Sequence, residues 1–98
     1  MQDCRIHIGV LSWAFCIPDS GSLKSKRRVV KSLKDRIRVH FNVSISEIGG
    51  QDKWQICVLA VAMIGTDKNQ IMGSFEAVKR LIDGVTEIQV SEYQMDFL

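Results

Sequence analysis

Histidine and cysteine are too few in this chain to assemble a reactive site in the usual ways. There are two histidines, His7 and His40, and three cysteines, Cys4, Cys16 and Cys57. A nucleophile needs a base within hydrogen-bond reach, and neither histidine stands beside a serine or cysteine at a spacing that suggests pairing. Cys4 and His7 are three apart on a predicted strand, so they point to opposite faces and cannot hold a metal together. No CxxC pair occurs and the count is odd, which argues against a disulfide framework and fits free thiols in a reducing cytosol. Nor is there a linker, a low-complexity segment or a membrane span. The run from Ile8 to Ile17 has the length of a signal-peptide core, but Asp3 precedes it and no small-residue cleavage site follows, so it reads as a strand. The expectation is a non-enzymatic cytoplasmic protein with no cofactor, no metal and no membrane contact.

What is present is a folded composition. The chain has 98 residues, 46% of them apolar and 24% charged. A chain of this size buries roughly 60–65% of its unfolded surface, enough for one core between two layers, so 1–98 is read as one domain. The formal net charge is +2, but it is unevenly spread. The stretch Ser22 to Phe41 holds eight Lys and Arg against one acid, Asp35, and the remainder holds five against ten. A basic element on an acidic body makes an oriented field that net charge conceals.

That stretch, SLKSKRRVVKSLKDRIRVHF, predicts an amphipathic helix. Leu23, Val30, Leu33, Ile37 and Phe41 recur at steps of three, four and seven and share a face. Ser22 is the expected N-cap and Asn42 the expected left-handed C-cap. Before it, residues 5–16 form a long apolar run that reads as a central strand. Its bulky residues, Leu11, Trp13 and Phe15, are assigned to the core; Ile8, Val10, Ser12, Ala14 and Cys16 take the other face. Pro18 stops it, and Asp19, Ser20 and Gly21 turn. Residues 43–48 alternate as a half-buried strand, Gly49 and Gly50 open a hairpin loop, and 54–64 form a second central strand. A second helix is predicted over 67–83, with Asp67 and Gln70 as a capping box and Ile71, Phe75, Val78 and Ile82 inward, joined by Met72 and Leu81. The last strand, 86–97, switches parity between Val90 and Tyr93, which requires a bulge near Ser91 or Glu92.

The order is βαββαβ. This predicts an α+β, ferredoxin-like fold: a four-stranded antiparallel sheet with two helices on one face. The segment IPDSGSLKSKRRVVKSLKDRIRVHFNVSISEIGGQDKW resembles the core of the YlxP-like family, small bacterial proteins carried as a domain of unknown function. The SLKxKRRVxKSLxDRxRxxFNVSxxE pattern matches almost position by position, with QDxWQ following. The resemblance spans nearly the whole chain. It implies the ferredoxin-like fold and no established activity, and genes of the family often lie beside those for translation initiation and ribosome maturation factors. The chain departs from the family at Ser25, where relatives carry Glu, and on the open face of the first and third strands. There Ser12, Ala14, Cys16, Ile56 and Val58 stand where relatives tend to be charged or polar.

Three candidate surfaces follow. Lys24, Arg27, Arg28, Lys31, Lys34 and Arg38 are the expected nucleic-acid-binding residues, able to track phosphates along one side of the helix. The partner would be structured RNA or a ribonucleoprotein, met through its backbone, because RNP-type aromatics for base stacking are absent. The Arg-bearing loop of acylphosphatases is absent too, which argues against catalysis. An ordinary solvated helix face is the bland alternative. Ser20, Ser22 and Lys24 form a candidate anion site at the helix N-terminus, with plain capping as the competing reading. Ile8, Val10, Ala14, Ile56 and Val58, with Ala60 and Ala62, make an apolar open sheet face that suits a homodimer interface or protein-interaction surface. Trp54 is open between a loop contact and a core cap, and Tyr93 is undecided.

Overall fold

The computed structural model describes residues 4–19, 21–51, 53 and 55–98. Its elements are β1 (His7–Cys16), α1 (Leu23–His40), β2 (Ser44–Gly49), β3 (Ile56–Gly65), α2 (Lys68–Asp83) and β4 (Gln89–Phe97). The four strands form one open antiparallel sheet in the order β2-β3-β1-β4. This is the βαββαβ arrangement expected from the sequence, with the two strands of two-sided apolarity in the middle.

Both helices cover the face that carries the bulky residues. Leu11, Trp13 and Phe15 of β1 and Cys57, Leu59 and Val61 of β3 are buried against Val29, Val30, Leu33 and Ile37 of α1 and Ile71, Phe75, Val78 and Ile82 of α2. Each such side chain contributes about 1.5–3 kcal/mol by leaving water. Among the described residues no helix is long and apolar enough to cross a membrane.

The helix faces differ from the expected stripes at their ends. Leu23 is more than a third exposed and lines a surface groove, while Val29 takes a core position. Met72 faces solvent, and Leu81 packs on the core edge. Ser22 caps α1 as expected, its hydroxyl accepting from the Ser25 amide at 3.1 Å. The C-terminal cap is Phe41, not Asn42. Phe41 is extended (φ −136°) and its N–H donates to the Ile37 carbonyl at 2.9 Å. An extended exit lets Phe41 and Val43 lie back on the core before β2 begins, so no left-handed residue is needed. Asp67 caps α2 by accepting from the Asn69 amide at 2.8 Å.

The parity switch in β4 is a bulge at Ser91. Ala14 pairs with Glu92 and Phe15 with Val90, and the extra Ser91 donates its hydroxyl to the Ala14 carbonyl at 3.1 Å. Beyond it, Tyr93 ties the strand to α2. Its hydroxyl donates to the Asp83 carboxylate at 2.7 Å, and the Lys79 ammonium lies 5.3 Å from its ring centroid. A second bulge, absent from the sequence reading, leaves Ile48 unpaired between Glu47 opposite Leu59 and Gly49 opposite Val58. Gly50 then turns at φ +77°, where a Cβ would lie 2.6 Å from the Ile56 carbonyl oxygen, so only glycine fits.

Candidate nucleic-acid interface

The basic residues of α1 fall into two rows. Arg27, Lys31, Lys34 and Arg38 follow one another by four, three and four positions and therefore stack along one line of the helix. All four line a groove of about 380 Å³ whose other margin includes Glu47 and Gln51. Lys24 and Arg28 stand on the adjoining exposed surface, with Ser22, Ser25, Arg27 and Lys31. The sequence-predicted cations are thus on one side of α1, though not in one file.

Their charge is partly offset. Lys31 pairs with Asp35 at 2.7 Å and Arg38 approaches the same carboxylate at 3.7 Å. The Lys31 hydrogen bond, helped by the charges of Lys31, Arg38 and Lys34, holds the Asp35 carboxyl below its ordinary range. Among the described residues, no carboxylate pairs with Lys24, Arg27, Arg28 or Lys34. At the helix N-terminus the Ser22 hydroxyl is engaged as the cap, and Lys24 is exposed. Ser20 lies outside the described residues, as does Trp54.

One cation of α1 has a different part. Lys26 is 3% exposed. Its ammonium donates to the Gly50 carbonyl and, at 2.8 Å, to the Lys53 carbonyl, and it pairs with Glu47 Oε2 at 3.1 Å. The same Glu47 oxygen accepts from the Cys57 thiol at 3.3 Å. Three contacts donated by the Lys26 ammonium thus pin the end of β2 and the β2–β3 loop to α1 at the head of the groove. The sequence reading passed over this cluster, although two signals were present. Lys26 fills the missing place in the stripe Leu23, Val30, Leu33, Ile37, and Glu47 continues the inward parity of Val43 and Ile45. A buried lysine requires a partner, and a half-buried carboxylate of inward parity can supply it.

Cys57 carries a pH signature. Burial first, then the charge and hydrogen bond of Glu47, push its thiol up from an ordinary value near 9 to about 12. At neutral pH it is a protonated thiol and a poor nucleophile. Between those two pH values the folded chain keeps a proton that the unfolded chain has lost, so stability falls as pH rises. Burial and Asp83 raise Tyr93 as well and add to the same alkaline loss. The free energy of urea unfolding should therefore decline above about pH 9. In Cys57→Ala that alkaline slope should be shallower, and an unchanged slope would mean Cys57 holds no such proton.

On the sheet face away from the helices, Ile8, Val10, Ala14, Ile56 and Val58 occupy one surface, as the strand parity predicts. Ile56 and Ile64 are 44% and 66% exposed. No paired position on this face holds an aromatic residue among the described residues.

Comparison with known proteins agrees with the fold. A family model described as "Protein of unknown function (DUF503)" matches residues 8–95. The chain is 40% identical over 82 residues to the "Uncharacterized protein YlxP" of Bacillus subtilis (strain 168), covering 84% of this chain and 89% of that protein. Among solved structures, the de novo designed protein Foldit4 superposes with a TM-score of 0.57 at 15% identity, over 94% of this chain and 96% of that one, a likeness of fold alone. The family match runs from the second residue of β1 to the end region of β4 and takes in α1, the Lys26 cluster and the groove: the chain belongs to the DUF503 family.

Proposed function

We propose that this protein binds structured RNA, free or within a ribonucleoprotein, through the groove beside α1. The observation that carries the reading is the line of Arg27, Lys31, Lys34 and Arg38 along one groove. At 1.5 Å per residue these four span about 16 Å of helix, long enough to meet several successive phosphates of one strand. Lys26 adds rigidity, because the loop that bounds the groove is hydrogen-bonded to the helix that carries the cations. Recognition would run through phosphates and duplex shape, since the described sheet surface offers no ring on which a base could stack.

The test is fluorescence anisotropy of a labelled structured RNA at two salt concentrations. Four phosphate contacts give a log–log salt slope of about −3, so a fourfold rise in salt should weaken binding roughly a hundredfold. Arg27→Glu with Lys31→Glu should abolish binding. Arg36→Glu, set against Arg27→Glu alone, is the charge-matched control, because Arg36 lies about 180° around the helix from Arg27. Binding that ignores salt, or that Arg36→Glu weakens equally, would overturn the groove as the site.

A further inference from the structure

The open sheet face bears no cation at a paired strand position; its charges are Glu92 and Asp96, both on β4. That composition repels a polyanion and calls for a protein surface. We infer that its occupant is a second copy of this chain, packed sheet to sheet about a two-fold axis parallel to the strands and midway between β1 and β3.

The register supplies the argument. Across the sheet from β2 to β4, one row reads Ser44, Ala62, Val10, Asp96, the next Ser46, Ala60, Ser12, Gln94, and the next Gly49, Val58, Ala14, Glu92. A two-fold axis along the strands lays each row on its own reverse. Asp96 then faces the partner's Ser44, and Gln94 faces the partner's Ser46. In the centre a larger side chain meets a smaller one: Val10 meets the partner's Ala62, and Val58 meets the partner's Ala14. The exposed Ile64 meets the partner's Ile8, its neighbour in the same sheet row. An axis across the strands would instead set Asp96 on the partner's Glu92, bringing like charges together in a desolvated interface. Aligned packing of two twisted sheets turns the strands by about 30° and leaves the central rows in contact.

The area is sufficient. β1 and β3 have ten residues each and the sheet has four strands. At about 3.3 Å per residue and about 4.8 Å between strands, the face covers roughly 600 Å². Two copies would bury about 1,200 Å², the lower end of specific interfaces. The arrangement keeps both α1 grooves on the outside, so it does not compete with the RNA reading and stands or falls separately.

The experiment is light scattering on the full chain at high micromolar concentration. The expected mass is twice the 11.1 kDa of one chain. Ala62→Glu, at a half-exposed position of this face, should halve that mass while leaving the circular dichroism spectrum unchanged. The axis is read by oxidative cross-linking. Ser44 and Asp96 lie on the two edge strands of one chain. Three strand spacings separate them, about 14 Å, whereas a disulfide needs Cα atoms within about 7 Å. Ser44→Cys with Asp96→Cys should therefore give a reducible dimer and no internal bridge, and the parent chain, run alongside, should give none. A monomeric mass would overturn the proposal and leave the face to an unrelated protein. A dimer that persists in Ala62→Glu would overturn it too, as would cross-linking by Glu92→Cys with Asp96→Cys in place of the Ser44 pair.

Discussion

Lys26→Met is expected to destabilise the protein by about 3 kcal/mol, more than any single change among the exposed cations of α1. The substitution keeps the length and apolar volume of the side chain and removes only the ammonium. Glu47, 25% exposed at its side chain, then loses the ammonium that pairs with it at 3.1 Å. The Lys53 carbonyl loses the Lys26 donor as well, and the Gly50 carbonyl keeps only the Lys53 amide, at 3.1 Å. Breaking a buried pair by deleting one partner leaves the other as an uncompensated charge, which is the larger part of the cost. Urea unfolding measures it directly. The double variant Lys26→Met with Glu47→Leu should recover most of the loss, because a well-packed apolar pair is often no worse than a buried ionic one. The loop carbonyls can then turn to water. A loss under about 1 kcal/mol in the single variant would mean that water already screens the pair, as at a surface salt bridge.

The same residue marks where the sequence stopped being legible. Charge type was the guide to the α1 surface, and by that guide every Lys and Arg of the helix belongs outside. Helical spacing says otherwise for one of them. Steps of three, four, three and four from Leu23 pass through Lys26, Val30, Leu33 and Ile37, so Lys26 lies on the buried stripe. Its inward carboxylate partner was equally readable from the alternation Val43, Ile45, Glu47. What could not be read was the contact, because it joins elements 21 positions apart through a bulge and a loop whose shape depends on Gly50. Bulges leave a trace only when they shift a hydrophobic pattern. Ser91 shifts one, since Val90 and Tyr93 must both reach the core side, and it was found. Ile48 shifts none, since β2 ends within two residues of it. The strand order followed from chemistry of the same kind: only central strands are apolar on both faces, and β1 and β3 are the central pair. The groove was half legible. Its basic margin is written in α1, while its other margin, Glu47 and Gln51, exists only once the hairpin folds back.

Two glycines should respond to alanine with opposite signs, and they test how tightly α2 is seated on the sheet. Gly9 lies on β1, on the face covered by the helices. A Cβ there would stand 2.7 Å from Ile71 Cγ2 and 2.9 Å from Phe75 Cε2. Ile71 and Phe75 are 2% and 0% exposed, so neither has room to withdraw. Alanine gains a little by restricting the unfolded chain, up to about 1 kcal/mol, but overpacking a close-packed core costs about 1–3 kcal/mol. The expected net effect of Gly9→Ala is a loss of about 1–2 kcal/mol, and Gly9→Val should lose about 3 kcal/mol or more. Gly73 stands on the exposed side of α2 with nothing within 4 Å of a Cβ. There alanine meets no neighbour and gains helix propensity, so Gly73→Ala should stabilise by about 0.5–1 kcal/mol. Thermal or urea unfolding of the variants decides the matter, and Gly9→Ala combined with Ile71→Ala adds a direct check. Removing Ile71 Cγ2 opens space where the new methyl presses, so the pair should lose less than the sum of its parts. Strict additivity, or a stabilised Gly9→Ala, would mean that α2 can lift from β1 by a few tenths of an ångström at little cost, and that the glycine is not what holds the helix close.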